Sequence, residues 1–166
     1  MNCPSCGAPM QLKVGTDGYK CDYCQSVYVP EKDADGVQVL GEPTAEICGL
    51  CNGPLVEGVL AKIRILYCTK CHGMLVPMAT FATLIDEMRG TLSSHTPQSA
   101  PDPDGLRRRI NCPQCHKRMD THFYAGPGNV IIDSCEDCGL IWLDQGEIMR
   151  IAHAPDARAA FGAYVN

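Results

Sequence analysis

Twelve cysteines fall into six Cys-x-x-Cys pairs with none left over. The pairs are Cys3/Cys6, Cys21/Cys24, Cys48/Cys51, Cys68/Cys71, Cys112/Cys115 and Cys135/Cys138. In a chain of 166 residues this pattern admits two readings, a disulfide framework or a set of metal sites. The opening stretch, MNCPSC, has neither the basic region nor the apolar run of a secretory signal. No apolar run reaches about 18 residues, so no membrane span is expected. A cytoplasmic chain in a reducing setting does not rely on disulfides. The expectation is therefore three tetrathiolate sites in a cytoplasmic protein, each holding Zn2+ as the default ion.

Taken in order, the pairs build three units. The inner cysteines are separated by 14, 16 and 19 residues, each a span that suits a β-hairpin. The repeat extends beyond the cysteines. Four residues after the second cysteine stand Met10, Leu55 and Met119; four after the fourth stand Tyr28, Leu75 and Trp142; next come Val29, Val76 and Leu143. Matching apolar positions mean one supersecondary unit used three times. Turn signals support hairpins at Gly15–Gly18 and Gly126–Asn129, whereas the turn near Ala61 is poorly marked.

The expected fold class is small metal-stabilised β: three tandem four-cysteine ribbons, with short helices after units two and three. The expected organisation is ribbon one over 1–30, ribbon two with its helix over 46–90, a flexible linker over 91–105, and ribbon three with its helix over 106–166. Residues 31–45, EKDADGVQVLGEPTA, read as a polar, acidic linker between the first two ribbons, which are expected to pack together while the third stands apart. In 78–89, Phe81, Leu84, Ile85 and Met88 recur at helical spacing, with Pro77 as first helical residue and Gly90 as stop. The second helix is expected after Asp144, with Asp144 and Glu147 as a capping box and Ile148, Ile151 and Ala152 facing inward. A further short turn is expected within 156–161.

A ribbon of about 40–50 residues buries too little apolar surface to fold alone. Structural zinc supplies roughly 10–16 kcal/mol at neutral pH. Four thiolates fill the shell, leaving no position for water or substrate, and no nucleophile elbow or phosphate-binding glycine loop is present. A non-catalytic protein is expected. His72 and His116 each follow a knuckle cysteine and read as rim residues rather than replacement ligands; His95 lies in the linker, and His122 and His153 have no assigned partner.

The formal charge is -5, and three filled tetrathiolate sites would take it to about -11. The chain as a whole is not a polyanion binder. Locally, Arg107, Arg108, Arg109, Lys117 and Arg118 surround the first knuckle of unit three and are candidate phosphate contacts, with Phe123 and Tyr124 as stacking candidates. A protein-interaction or adaptor role with an unidentified protein partner is the leading expectation. Nucleic-acid binding is the second, and a rubredoxin-like iron redox protein the third.

Unit three ends CEDCGLIWLDQGEI. Cys112, Pro113, Cys115, Cys135, Cys138, Trp142, Leu143, Asp144, Gly146 and Glu147 together resemble the bacterial zinc-ribbon family named for the transcription factor IIB zinc finger. Unit two is similar more loosely, keeping the cysteines and Gly73 but carrying Leu75-Val76-Pro77 in place of Trp-Leu-Asp. Unit one resembles a general zinc ribbon. The resemblance implies a zinc-binding fold and, by its name, a link to transcription; fold does not carry function. Trp142, Asp144 and Glu147 are read as a roof and cap for the ribbon, or as a docking face.

Overall fold

The computed structural model describes residues 1–12, 18–91, 105–126 and 128–154. Each cysteine-rich unit forms an antiparallel three-stranded ribbon. Unit one comprises β1 (Met10–Leu12), β2 (Tyr19–Cys21) and β3 (Val27–Tyr28). After a connecting strand, β4 (Gln38–Ile47), unit two comprises β5 (Pro54–Leu60), β6 (Ile63–Tyr67) and β7 (Met74–Pro77), followed by α1 (Met78–Thr91). Unit three comprises β8 (Asp120–Phe123), β9 (Ile131–Cys135) and β10 (Leu140–Leu143), followed by α2 (Glu147–His153). Three four-cysteine ribbons in tandem, mostly β with two short helices, are the fold that the cysteine pattern predicts.

Their packing differs from the expectation. β1, β2 and β3 form a sheet of their own, while units two and three merge into one seven-stranded sheet, ordered β4-β5-β6-β7-β10-β9-β8. The seam is the antiparallel pair β7–β10, in which Leu75 stands opposite Trp142, Val76 opposite Ile141 and Met74 opposite Leu143. Leu75 and Trp142 are equivalent positions of the repeat. A register centred on them relates the two units by an approximate two-fold axis through the seam.

The physical reason lies in the strands themselves. Met74, Leu75 and Val76 of β7 and Ile141, Trp142 and Leu143 of β10 are all apolar, so both faces need cover. Met74, Val76, Ile141 and Leu143 join Phe81, Leu84, Ile85, Ile148 and Ile151 in a core beneath the helices. Leu75 and Trp142 point the other way and pack among Cys48, Cys68, Cys112 and Cys135. A lone ribbon has no interior for two such faces; two ribbons edge to edge do. The helices also touch, and Arg89 Nη2 donates to the carbonyls of Ile151 (3.1 Å) and Ala154 (3.4 Å). Unit three thus does not stand apart from unit two.

Part of the polar stretch 31–45 is likewise no linker. Its second half is most of β4, paired with β5, and Pro43 sits where the register shifts, as a proline in an edge strand must. Val37, Gln38 and Leu40 are buried there. The hairpin of unit two closes through Ala61 and Lys62, both at positive φ (46° and 68°), between the paired Leu60 and Ile63. This is the geometry of a type I′ loop, normally built with Asn or Gly. Side chains there cost about 1–2 kcal/mol each, which the flanking five-pair ladder must offset. Helix α1 buries the four predicted residues. Pro77, however, ends β7 opposite Leu140, and Gly90 lies inside the helix rather than stopping it. The turn residues 15–17, Pro127, linker residues 92–104 with His95, and the short turn at 156–161 lie outside the described residues.

Candidate metal centres

The twelve cysteines converge into three groups, Cys3/Cys6/Cys21/Cys24, Cys48/Cys51/Cys68/Cys71 and Cys112/Cys115/Cys135/Cys138, each with all four sulfurs within 4.8 Å of one another. Close Sγ–Sγ distances are 3.6 Å (Cys3–Cys24), 3.5 Å (Cys6–Cys21), 3.6 Å (Cys48–Cys71), 3.4 Å (Cys51–Cys68) and 3.6 Å (Cys115–Cys135). A disulfide would require about 2.05 Å. Zinc–sulfur bonds of about 2.3 Å in a tetrahedron place sulfurs about 3.8 Å apart, so the donor set fits a tetrahedral soft ion.

The knuckles are built by a shared backbone device. The residue after the second cysteine of every pair has positive φ: Gly7, Gln25, Asn52, His72, His116 and Gly139. In the first five its N–H bonds the carbonyl of the first cysteine at 2.8–3.1 Å, curling the chain around the sulfur. His72 and His116 therefore stand at a turn position and belong to none of the thiol groups. The His72 Nδ1 is instead hydrogen-bonded to the Tyr67 hydroxyl at 2.6 Å, and that hydroxyl also donates to Asp33.

The three centres differ in their surroundings. In site one Cys6 and Cys24 are exposed, and the small core is Cys3, Met10 and Cys21. The Ser26 hydroxyl lies 3.1 Å from the Cys3 sulfur and 3.0 Å from that of Cys24, and this contact holds the Cys3 thiol down to about 6. Nothing in the cysteine spacing singled out Ser26. Sites two and three instead share one apolar cluster. Gly73 of unit two lies so close to the Trp142 ring that a Cβ there would meet Cζ2 at 2.2 Å. A Cβ on Gly49 would meet the Asn111 carbonyl at 2.2 Å, so the first knuckle of unit two rests against the entry to that of unit three.

The acidic tail after Cys138 completes this roof. Trp142 is fully buried, and its Nε1–H donates to Asp144 Oδ1 at 3.0 Å, which satisfies the indole. Asp144 also pairs with Arg108. Asp144 is thus not the helix cap that the capping-box spacing predicts. The residue before α2 is Gly146, at φ 82° and with no side-chain cap. Its N–H is held by Asp35, 111 residues upstream, at 2.9 and 3.1 Å. Half of the box survives: the Asp144 N–H donates to Glu147 Oε2 at 2.7 Å. Burial pushes the Glu147 carboxyl up to about 7. Gly146 serves its left-handed φ rather than close packing, since a Cβ there meets nothing within 4 Å.

The basic cluster is largely engaged within the molecule. Arg108 reaches both Asp144 and the fully buried Asp133, which also accepts from Thr121 Oγ1 at 2.5 Å. Lys117 pairs with Asp137 at 2.7 Å, and Arg109 Nη1 donates to the carbonyls of Arg107 and Arg108. Arg107 and Arg118 are exposed. Tyr124 packs edge-on against Phe81 of α1, with ring centroids 5.5 Å apart, while Phe123 is exposed on β8. On the metal face of the seam lies a cavity of about 230 Å3 floored by Leu66, Leu75, Pro77 and Leu140 and rimmed by Glu46 and Glu57.

Among known families, the one described as transcription factor zinc-finger matches residues 111–154, about a quarter of the chain. The matched segment is unit three from Asn111 to the end of α2, the part with the Trp142 tail. No curated protein and no solved structure matches the chain. Among the described residues no helix is long and apolar enough to cross a membrane.

Proposed function

We propose that this chain is a non-catalytic protein-interaction module that holds one zinc ion at each of its three four-cysteine sites. The observation that carries the reading is the use of the cations. Arg108 is bound to Asp133 and Asp144, and Lys117 to Asp137, so two of the five candidate phosphate contacts are neutralised before any ligand arrives. The cluster sits on a chain of formal charge -5, a weak footprint for nucleic acid. Four thiolates per site close the shell against substrate, which supports a structural ion. The apolar floor of the seam cavity supports docking of a partner's apolar side chain.

Titration of the zinc-loaded chain with single- and double-stranded nucleic acid at low salt tests the choice. The expected result is no salt-dependent binding, together with protein partners in a native pull-down that survive nuclease. Loss of every partner on nuclease treatment would install the nucleic-acid reading instead. Metal analysis should return three zinc ions in a colourless protein; a coloured iron protein, or one ion per chain, would overturn the metal assignment.

A further inference from the structure

We propose that the outer edge of β3 is a self-association site, at which a second copy of this chain docks by antiparallel β3–β3 pairing about a two-fold axis. Counting from the fourth cysteine, Val27-Tyr28-Val29-Pro30 of unit one, Met74-Leu75-Val76-Pro77 of unit two and Ile141-Trp142-Leu143-Asp144 of unit three are equivalent. In units two and three these strands have found each other. Leu75, Val76, Trp142 and Leu143 are 3%, 0%, 0% and 0% exposed. In unit one the same strand is bonded to β2 alone among the described strands, and Val27, Tyr28 and Val29 are 66%, 37% and 54% exposed.

The identity of the partner follows from what such an edge needs. It needs a strand of the same length, apolar on both faces, with a free edge. Among the described strands β7 and β10 are consumed by their own pairing, and β3 is the equivalent strand left open, so a second copy's β3 meets all three needs. The seam of units two and three supplies the template. Transferred to β3, it places Tyr28 opposite its own counterpart and Val27 opposite Val29 of the second copy. The four residues carry no charge, so two-fold pairing opposes no like charges. The two outer edges of the larger sheet are blunted: β4 is broken in register at Pro43, and β8 begins with Asp120. β3 has no such guard. Self-association is separate from the docking role proposed above and stands whether or not another partner exists.

Short strands bury little, so the contact is weak and concentration-dependent. Sedimentation of the zinc-loaded full chain from roughly 10 µM to 1 mM should show the mass rising from 18.0 kDa toward twice that value. A sample mixing methyl-labelled and unlabelled chains should give intermolecular contacts between Val27 and Val29 methyls. The double variant Val27→Lys/Val29→Lys, at positions exposed in the single chain, should stay monomeric with unchanged zinc content. A monomer at the highest concentration overturns the proposal. So does a dimer that lacks the Val27–Val29 contacts, or one that persists in the lysine variant. The methyl contacts decide the matter even where the variant loses metal from site one.

Discussion

Unit one and the pair formed by units two and three use the same four-cysteine framework and the same knuckle turns, but they solve the problem of a small core differently. Unit one keeps two ligands at the surface and buries Cys3, Met10 and Cys21. Its fold leans on its four-cysteine group and on the Ser26 hydroxyl between two sulfurs. Units two and three place their apolar strands edge to edge, and the seam becomes the centre of a two-faced sheet with helices on one side and metal knuckles on the other. The same four-cysteine arrangement thus yields an isolated site and a coupled pair. The difference is what lies beyond the fourth cysteine: a helix to cover the strand in the pair, and a polar loop in unit one. That loop is itself tied to the pair, through Asp33 to Tyr67 and Asp35 to Gly146.

The strongest test of this contrast removes one ligand at a time. Cys135→Ser disrupts site three, where a structural zinc ion would contribute roughly 10–16 kcal/mol. Because Trp142 rests on Gly73, site two should lose affinity as well, by tenfold or more in a chelator competition. Cys21→Ser should release only the metal of site one and leave the other two intact. If Cys135→Ser leaves site two unchanged, the pair is not coupled.

Truncating the shared roof comes next. Trp142→Ala should cost about 3–5 kcal/mol in thermal or denaturant melts, as large aromatic truncations in cores do. Amide spectra should change across units two and three and stay unchanged in unit one. The same tail also carries a buried ion pair. Arg108→Ala leaves Asp133 buried without its cation, at a cost of about 3 kcal/mol, the lower end for a broken buried pair because Arg108 keeps some solvent contact.

Smaller effects test the crossing from the loop. Asp35→Ala removes the acceptor of the Gly146 N–H and should cost about 0.5–2 kcal/mol, with faster hydrogen exchange at the start of α2. Unchanged exchange there would deny Asp35 this role. The smallest effect concerns pH. The Glu147 carboxyl stands near 7 in the fold against 4.5 when unperturbed. Between those values the unfolded chain releases the proton first, so stability should fall as pH rises through the window and level off above it. Glu147→Gln should flatten that slope by on the order of 1 kcal/mol, read as the difference between variant and parent melts from pH 5 to 8.

Much of this was legible in the residue order. Pairing of cysteines, hairpin lengths and the buried stripe of α1 are local patterns, set by periods of 2 and 3.6 and by knuckle spacing. Every metal-ligand candidate is where the spacing places it, in three groups of four. The Trp142 roof was legible as well, as a large side chain in a unit with almost no core, though not that it covers a neighbour's knuckle. The local patterns misled where a residue type is used for something non-local. Asp144 has the spacing of a cap but serves the Trp142 indole and Arg108; the acceptor for Gly146 comes from Asp35. Residues 38–45 are polar enough for a linker, yet an edge strand needs only one buried face.

The inventory of three four-cysteine groups, three ribbons and two helices is written locally, since each arises from contacts a few residues to about twenty residues apart. Which ribbons pair is set instead by packing across the whole molecule. An apolar triplet such as Met74-Leu75-Val76 reads the same whether its second face meets a helix, solvent or another ribbon. The choice of β10 for β7, with β3 left at an edge, depends on burying two faces at once. That requirement belongs to the assembled sheet and to no single segment of the chain.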